Sequence, residues 1–424
     1  MSNFPKHIVI IGGGYCGIRC AQVLEKKLKS DVATITIIEK QEFAYHTVGT
    51  PRALVDPSYW PKLFIPHQNA FTSKRATVAI VHGKAEEIQG NNVLVRKINR
   101  GQLEEETSAI QFDYLVIATG SSYPSPIKVD NNIYIREDVE NALEETYNHI
   151  KSASSVLVIG GGAVGCEVAG EIATAYPEKK ITLLDSNTSL ISSASVSEKF
   201  RTKLHEALTR LNVHVILGEK LPERLQSHSF EKKSAITDKG TTIESDVQLV
   251  CAGASPNVDI INKLDPSLIS KNRAIRVKMS LQLDDDRFQN IFVVGDASDH
   301  PTPKLAYYGG LQAAFLGNQL ISAILHGTKV EDCTGVTDMV MMVPVGPNHG
   351  ATQFPFFGGF VLGDFITKHA KGKDYFASKT WSSFGATVPV DNKDTNNSFF
   401  TPKAAIFTLL FSVAIGFGVK NYLE

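Results

Sequence analysis

Two glycine-rich turns dominate the chemistry open to this sequence. Gly12, Gly13, Gly14, Tyr15, Cys16 and Gly17 follow the apolar run His7–Ile11, and Gly160, Gly161, Gly162, Ala163, Val164 and Gly165 follow Val156–Ile159. In such a loop the first glycine permits a sharp turn out of a strand. The second lets the backbone approach a pyrophosphate, and the third lets helix and sheet pack closely. The helix that starts there offers free N–H groups and partial positive charge to phosphates. An acid ends the next apolar run in both copies, Glu39 after Ile35–Ile38 and Asp185 after Ile181–Leu184. Each stands about 20 residues past its loop, where a carboxylate accepts hydrogen bonds from a ribose. One loop alone is a weak signal. Two, each with strand, helix and acid, predict two dinucleotide sites. Asp185 suits the ribose of NADH and repels the 2′-phosphate of NADPH. Ser186–Ser189 supply no Arg or Lys to offset it, so NADH is favoured and NADPH is a weaker second donor.

Other chemistries are disfavoured. A dithiol reductase needs a close cysteine pair against its flavin. Cys16 and Cys20 share a helix face on the phosphate-turn helix, while Cys166, Cys251 and Cys333 are isolated. All five read as small packing residues. No His and Cys set has metal-ligand spacing, so no metal is expected. Forty-three basic against forty-four acidic residues give a net charge of −1, which leaves no bulk field for nucleic acid.

The elements that must position these residues alternate strand and helix, which implies an α/β fold with parallel sheets and helices on their faces. Phe112–Gly120 reads as a buried strand ending in a tight turn at Gly120, with further strands at Val247–Gly253 and Asn290–Asp296. The expected architecture is two Rossmann-like dinucleotide domains of the glutathione-reductase kind, the second inserted into the first, plus a small C-terminal α+β domain. The boundaries are 1–123 and 258–330 for the first domain, 124–257 for the inserted one and 331–388 for the third. A linker at 389–402 precedes an apolar segment at 403–420. Ala404–Val419 carries no charge between Lys403 and Lys420. Its sixteen residues reach roughly 24 Å as a helix, short of a hydrocarbon core of about 30 Å unless the flanking lysines snorkel. A membrane anchor is the expectation, and a docked C-terminal helix is the alternative. The N-terminal strand starts too early for a signal peptide, and Ser2 excludes myristoylation.

The sequence resembles the apoptosis-inducing-factor family of flavoproteins, particularly its ferroptosis-suppressor-like and fungal branch, related to type II NADH dehydrogenases. The resemblance covers roughly residues 6–384. It rests on Gly12–Gly17, Ala118–Gly120, Gly160–Glu167, Val293–Ser298, Pro303–Ala313, Gly346–Pro355 and Lys373–Phe376. It implies FAD on the N-terminal and returning segments, NAD(P)H on the inserted domain, and electrons passing to a quinone or slowly to oxygen. It further implies that Asp296, after Gly295, bonds the FAD ribityl chain. Arg52 would lie near the flavin nucleotide, and the Val81 backbone would meet the adenine. The helix opening at Leu305 and Ala306 would point its positive end at the flavin's N1–O2 edge. Glu167 would approach the flavin–nicotinamide junction with a lysine partner, for which Lys371 is the candidate between Lys368 and Lys373. The plainer alternatives are a surface salt bridge for Arg52 and a helix-end charge for Glu167. Where type II dehydrogenases carry Ala-Gln, this chain has Ala306-Tyr307, which alters the acceptor pocket.

These readings converge on an NADH oxidoreductase passing hydride through FAD to a quinone or another small acceptor. It would be tethered to the mitochondrial outer membrane or endoplasmic reticulum, facing the cytosol, as monomer or homodimer. A slow redox-sensing signalling flavoprotein is the rival. A soluble reductase of small acceptors is the third option.

Overall fold

The computed structural model describes residues 4–334, 339–355 and 359–389. The apolar 403–420 segment and the linker from residue 390 lie outside the described residues. Among the described residues, no helix is long and apolar enough to cross a membrane.

The chain opens with β1 (Lys6–Ile11), α1 (Tyr15–Lys27) and β2 (Ala33–Glu39). β1 and β2 pair in parallel from Lys6↔Ala33 to Ile11↔Ile38. Both are rich in β-branched residues, Ile and Val in β1 and Ile and Thr in β2, and both faces of the sheet are covered. β3 (Thr77–Gln89) joins β2 in parallel and runs into an antiparallel meander of β4 (Asn92–Asn99) and β5 (Gln102–Gln111). β6 (Tyr114–Ile117) returns beside β1.

A second sheet follows, built from β7 (Ser155–Ile159), α2 (Ala163–Ala175), β8 (Lys180–Asp185), α3 (Glu198–Arg210), β9 (His214–Leu217) and β10 (Val247–Val250). Its order is β9-β8-β7-β10, all parallel. The chain then re-enters the first sheet, where β11 (Ile291–Val293) pairs with β6 to complete the order β11-β6-β1-β2-β3-β4-β5. α4 (Ala306–His326) packs on α1, and Gly317 permits the approach, since a Cβ there would meet Val23.

Each face of the first sheet has its own core. Ile8, Ile10, Ile35, Ile37 and Phe292 pack under α1 and α4 with Leu24, Leu316 and Leu320. Val9, Ile11, Ile38 and Ile117 pack on the opposite face with Val93, Ile260 and Ile261. Each such fully buried aliphatic side chain contributes roughly 1.5–3 kcal/mol.

The remaining chain forms an antiparallel sheet, β12 (Met341–Val345), β13 (His349–Phe354) and β14 (Phe360–Leu362). It docks on α2 so closely that a Cβ on Gly170 would sit 2.6 Å from the Gly346 nitrogen. Beyond it, Lys368–Gly372 winds as a π-helical turn, closed by the Lys373 N–H donating to the Lys368 carbonyl at 2.9 Å. Such turns are rare and often occur at functional sites. The helix Ala377–Ser383 then ties back to the first half through Trp381 Nε1, which donates to the Lys62 carbonyl.

Candidate functional site

The two glycine loops share one geometry. Gly12 and Gly160 adopt φ +109° and +117°, and a Cβ on Gly17 or Gly165 would fall 1.8 Å from the carbonyl of Gly12 or Gly160. Glu39 Oε2 accepts the Gly13 N–H, and Oε1 accepts the Gln41 N–H at 2.9 Å. Asp185 Oδ2 likewise accepts the Gly161 N–H, while Oδ1 accepts from the Asn187 backbone at 2.6 Å and side chain at 2.8 Å. α1 and α2 begin after Gly14 and Gly162 without a side-chain cap. Above both glycines a Cβ would meet open space. These uncapped N-termini are suited to phosphates.

One cavity of about 1070 Å³ joins the two loops. Gly12, Gly14, Tyr15, Cys16, Glu39 and Gly120 line it from the first half, and Gly162, Ala163, Val164 and Glu167 from the second. Asp296, Leu305, Ala306 and Lys371 also face it. Its size exceeds that of a pocket for one drug-sized ligand. Its glycine floors and uncapped helix ends fit an extended dinucleotide, with space left where the two halves meet.

Several predicted residues do not line it. Gly13, Gly17, Gly160, Gly165 and Gly295 stand behind the wall, and Asp185 borders it only through Gly161 and Gly162. Val81 pairs with Ile38 in the sheet, and Gly83, Lys84 and Ala85, just beyond it, line the cavity. Arg52 is neither a cavity residue nor a surface ion pair. Its guanidinium meets Glu171, with side-chain exposures of 14% and 2%. Tyr307 is 40% exposed, edge-on to Tyr308, and does not line the cavity.

Glu167 is buried where the halves meet, and Lys371 Nζ donates to its Oε1 at 2.5 Å. Burial pushes its carboxyl above the usual range and the Lys371 ammonium opposes that push. Lys368 and Lys373, the other candidates, are exposed. The π-helical turn brings Lys371 alone to the carboxylate.

Asp296 Oδ2 accepts from Ser121 Oγ at 2.7 Å and lies 3.5 Å from Lys128 Nζ. Burial lowers the pKa of Lys128 and of Lys304, with Asp296 opposing in both. Cys16 wedges between Gly295 and Gly309, and burial pushes its thiol up to about 12, as it does that of Cys251. All five cysteines are free, and Cys16 and Cys251, whose thiol pKa values burial raises, line the cavity.

Sequence reasoning missed His46, Glu171, Tyr375, Ser121 and Lys128. His46 Nε2 must donate to the Tyr375 carbonyl at 3.0 Å, which makes Nδ1 the acceptor for Tyr15 Oη at 2.9 Å. Burial lowers its pKa to about 4, so it is neutral at pH 7. Only the i, i+4 spacing of Glu167 and Glu171 on one helix could have pointed to any of these.

Residues 4–313 match the profile of a family described as pyridine nucleotide-disulphide oxidoreductase. The chain is 28% identical to apoptosis-inducing factor homolog B of Dictyostelium discoideum, over 92% of this chain and 100% of that protein. It is 28% identical to ferroptosis suppressor protein 1 of Homo sapiens, over 90% of this chain and 97% of that one. Among solved structures, an NAD-dependent persulfide reductase from A. fulgidus aligns with TM-score 0.61 at 19% identity. That alignment covers 82% of this chain and 63% of that longer one, a likeness of fold.

Proposed function

The chain belongs to the pyridine nucleotide-disulphide oxidoreductase family, in its apoptosis-inducing-factor-like branch, as an FAD- and NAD(P)H-dependent oxidoreductase, and from that premise we propose that it passes electrons from NADH to a quinone. The observation that carries this reading is the buried Glu167–Lys371 pair facing the cavity that both glycine loops share. When bound, FAD supplies the hydride-accepting ring that separates oxidation of NADH from reduction of the second substrate.

The residues then divide the work. We assign residues 1–123 and 258–330 to holding FAD, 124–257 to NADH and 331–388 to covering the acceptor side. Gly12–Gly17 and Glu39 would grip the FAD pyrophosphate and ribose, with Gly83–Ala85 beside the adenine. Asp296 would orient the ribityl chain, and the N-terminus of α4 at Leu305 and Ala306 would place its partial positive charge at the cavity. Gly160–Gly165 and Asp185 would hold NADH. Reducing a quinone to a hydroquinone consumes two protons, which distinguishes it from one-electron carriers. Lys371 Nζ and Glu167 Oε1 hold a proton between them at 2.5 Å and would relay it to the acceptor. The apolar 403–420 segment supports membrane attachment, where a lipid-soluble acceptor is at hand. The sequence spacing of the cysteines gives no close redox pair, which argues for a quinone over a disulfide as acceptor.

The test is anaerobic oxidation of NADH by the FAD-loaded protein, with and without a short-chain ubiquinone. Quinone is expected to reoxidise the flavin at about 1 per second or faster. Glu167→Gln should slow that step by about 10²-fold while leaving reduction by NADH within tenfold. Flavin that stays reduced for minutes in the presence of quinone would overturn the reading and favour a redox sensor.

A further inference from the structure

Glu171 lies one helical turn beyond Glu167 on α2, buried and outside the cavity lining. Arg52 grips it with two bonds, Nε to Oε2 at 2.5 Å and Nη2 to Oε1 at 3.0 Å. The Tyr375 hydroxyl donates to the same Oε1 at 2.9 Å. The Tyr375 ring serves both cations, with the Arg52 guanidinium 5.3 Å and Lys371 Nζ 5.7 Å from its centroid. Arg52 Nη2 also donates to the carbonyl of Gly372, the residue after Lys371, at 2.9 Å. Tyr59 and His46 hold the next carbonyls, of Asp374 at 2.7 Å and of Tyr375 at 3.0 Å. The segment bearing Lys371 is thus pinned at three carbonyls by side chains of residues 46–59.

We propose that Arg52, Glu171 and Tyr375 form a positioning cluster that sets how strongly Glu167 holds a proton. The inference rests on reading Glu167 as the proton-holding group of the site. The Glu171 carboxylate is gripped by two bonds from Arg52. Its charge, one turn away and shielded from water, opposes a second negative charge on Glu167. Arg52 cancels part of that opposition from the far side of Glu171. Lys371, in direct contact, favours the Glu167 anion. The other titratable groups nearby are neutral: the phenol of Tyr375 on the facing turn and the thiol of Cys166 on the same helix, both pushed up by burial, and His46 behind Tyr375. Burial raises the Glu167 pKa, Lys371 lowers it and Glu171 raises it, in line with this geometry.

The test reads protonation directly. In the full FAD-loaded chain, the infrared carbonyl stretch of a neutral buried carboxylic acid is followed against pH and assigned by its loss in Glu167→Gln. Glu171→Gln is expected to move the midpoint down by about one pH unit, and Arg52→Gln to move it up by a similar amount. Tyr375→Phe keeps the ring and should shift it upward by less. The doubly neutral Arg52→Met/Glu171→Met chain removes the risk of an unpaired buried charge and should return the midpoint close to its original value. An unmoved midpoint in folded, flavin-loaded variants, or shifts of one sign for both partners, would overturn the proposal. Undiminished quinone turnover in Glu167→Gln would count against the proposed function alone, because the infrared midpoint is read without turnover.

Discussion

The two nucleotide units are nearly the same object up to the first turn of their helices, and they diverge in what that turn meets. In both, an acid accepts the N–H of the residue after the first glycine, Gly13 or Gly161, and Gly17 or Gly165 lets the helix pack against the turn. In the first unit the turn carries Tyr15 and Cys16, and α4 returns from far along the chain to close over it, with Cys16 lodged against Gly295 and Gly309. In the second, the turns carry Glu167 and Glu171, each paired to a cation from another part of the chain, Lys371 and Arg52. In the first the helix start is packed against another helix of the same half, with Cys16 between two glycines, and it lines the shared cavity as well. In the second the helix start carries two buried, paired carboxylates, of which Glu167 faces the shared cavity and Glu171 stands behind it.

The largest effect that would break or sharpen this contrast comes from matched substitutions. Gly17→Ala and Gly165→Ala put the same Cβ into the same 1.8 Å clash. Gly17→Ala should abolish flavin retention, read as flavin absorbance per chain. Gly165→Ala should keep the flavin and lose its reduction by NADH. Equal loss of flavin in both would erase the distinction between a resident and an exchanging unit.

A second test compares one histidine from each half, His46 fully buried and His228 partly buried. His46 in the first and His228 in the second are both lowered to about 4 by burial. An unfolded histidine takes up its proton near 6.5. Their stabilisation is therefore complete above about pH 6.5 and lost as pH falls towards 4, by about 3 kcal/mol for each group. Melting temperatures should fall steadily from pH 7 to pH 4.5. His228→Gln keeps an acceptor for the Val250 N–H, which the histidine Nδ1 holds at 3.0 Å, and should flatten that fall. His46→Gln should flatten it too, and should also loosen the segment carrying Lys371. An unchanged slope in both would mean that the acid sensitivity lies elsewhere.

The smallest effect concerns the acids themselves. Asp185→Asn removes the charge that repels a 2′-phosphate and should raise kcat/KM for NADPH relative to NADH by about tenfold, or 1.4 kcal/mol. The matching Glu39→Gln should leave that ratio unchanged. A shift in the ratio from Glu39→Gln would reverse the assignment of the two units.

Much of this was legible without coordinates. The α/β class, both glycine loops and their acids lie in patterns of about thirty residues, where strand, turn and helix are coupled by local backbone geometry. Lys371 was one of three lysines in sequence, and the π-helical turn selected it. Val81 and Arg52, expected beside FAD, stand close to residues that line the cavity, Gly83 and Pro51, rather than in its lining. Gly83–Ala85 line the cavity, and the Arg52 guanidinium pairs with the buried Glu171, 119 residues away.

The sequence by itself therefore determined which residues could grip a dinucleotide, because those contacts are made by backbone within one turn of its own loop. Only the tertiary structure decided where a proton would be held. Glu167 and Lys371 are 204 residues apart, as are Glu171 and Tyr375, and Arg52 is 119 from Glu171. No local spacing encodes such pairs. They form because folding removes these charges from water, and a buried charge must find its partner wherever the chain has placed one.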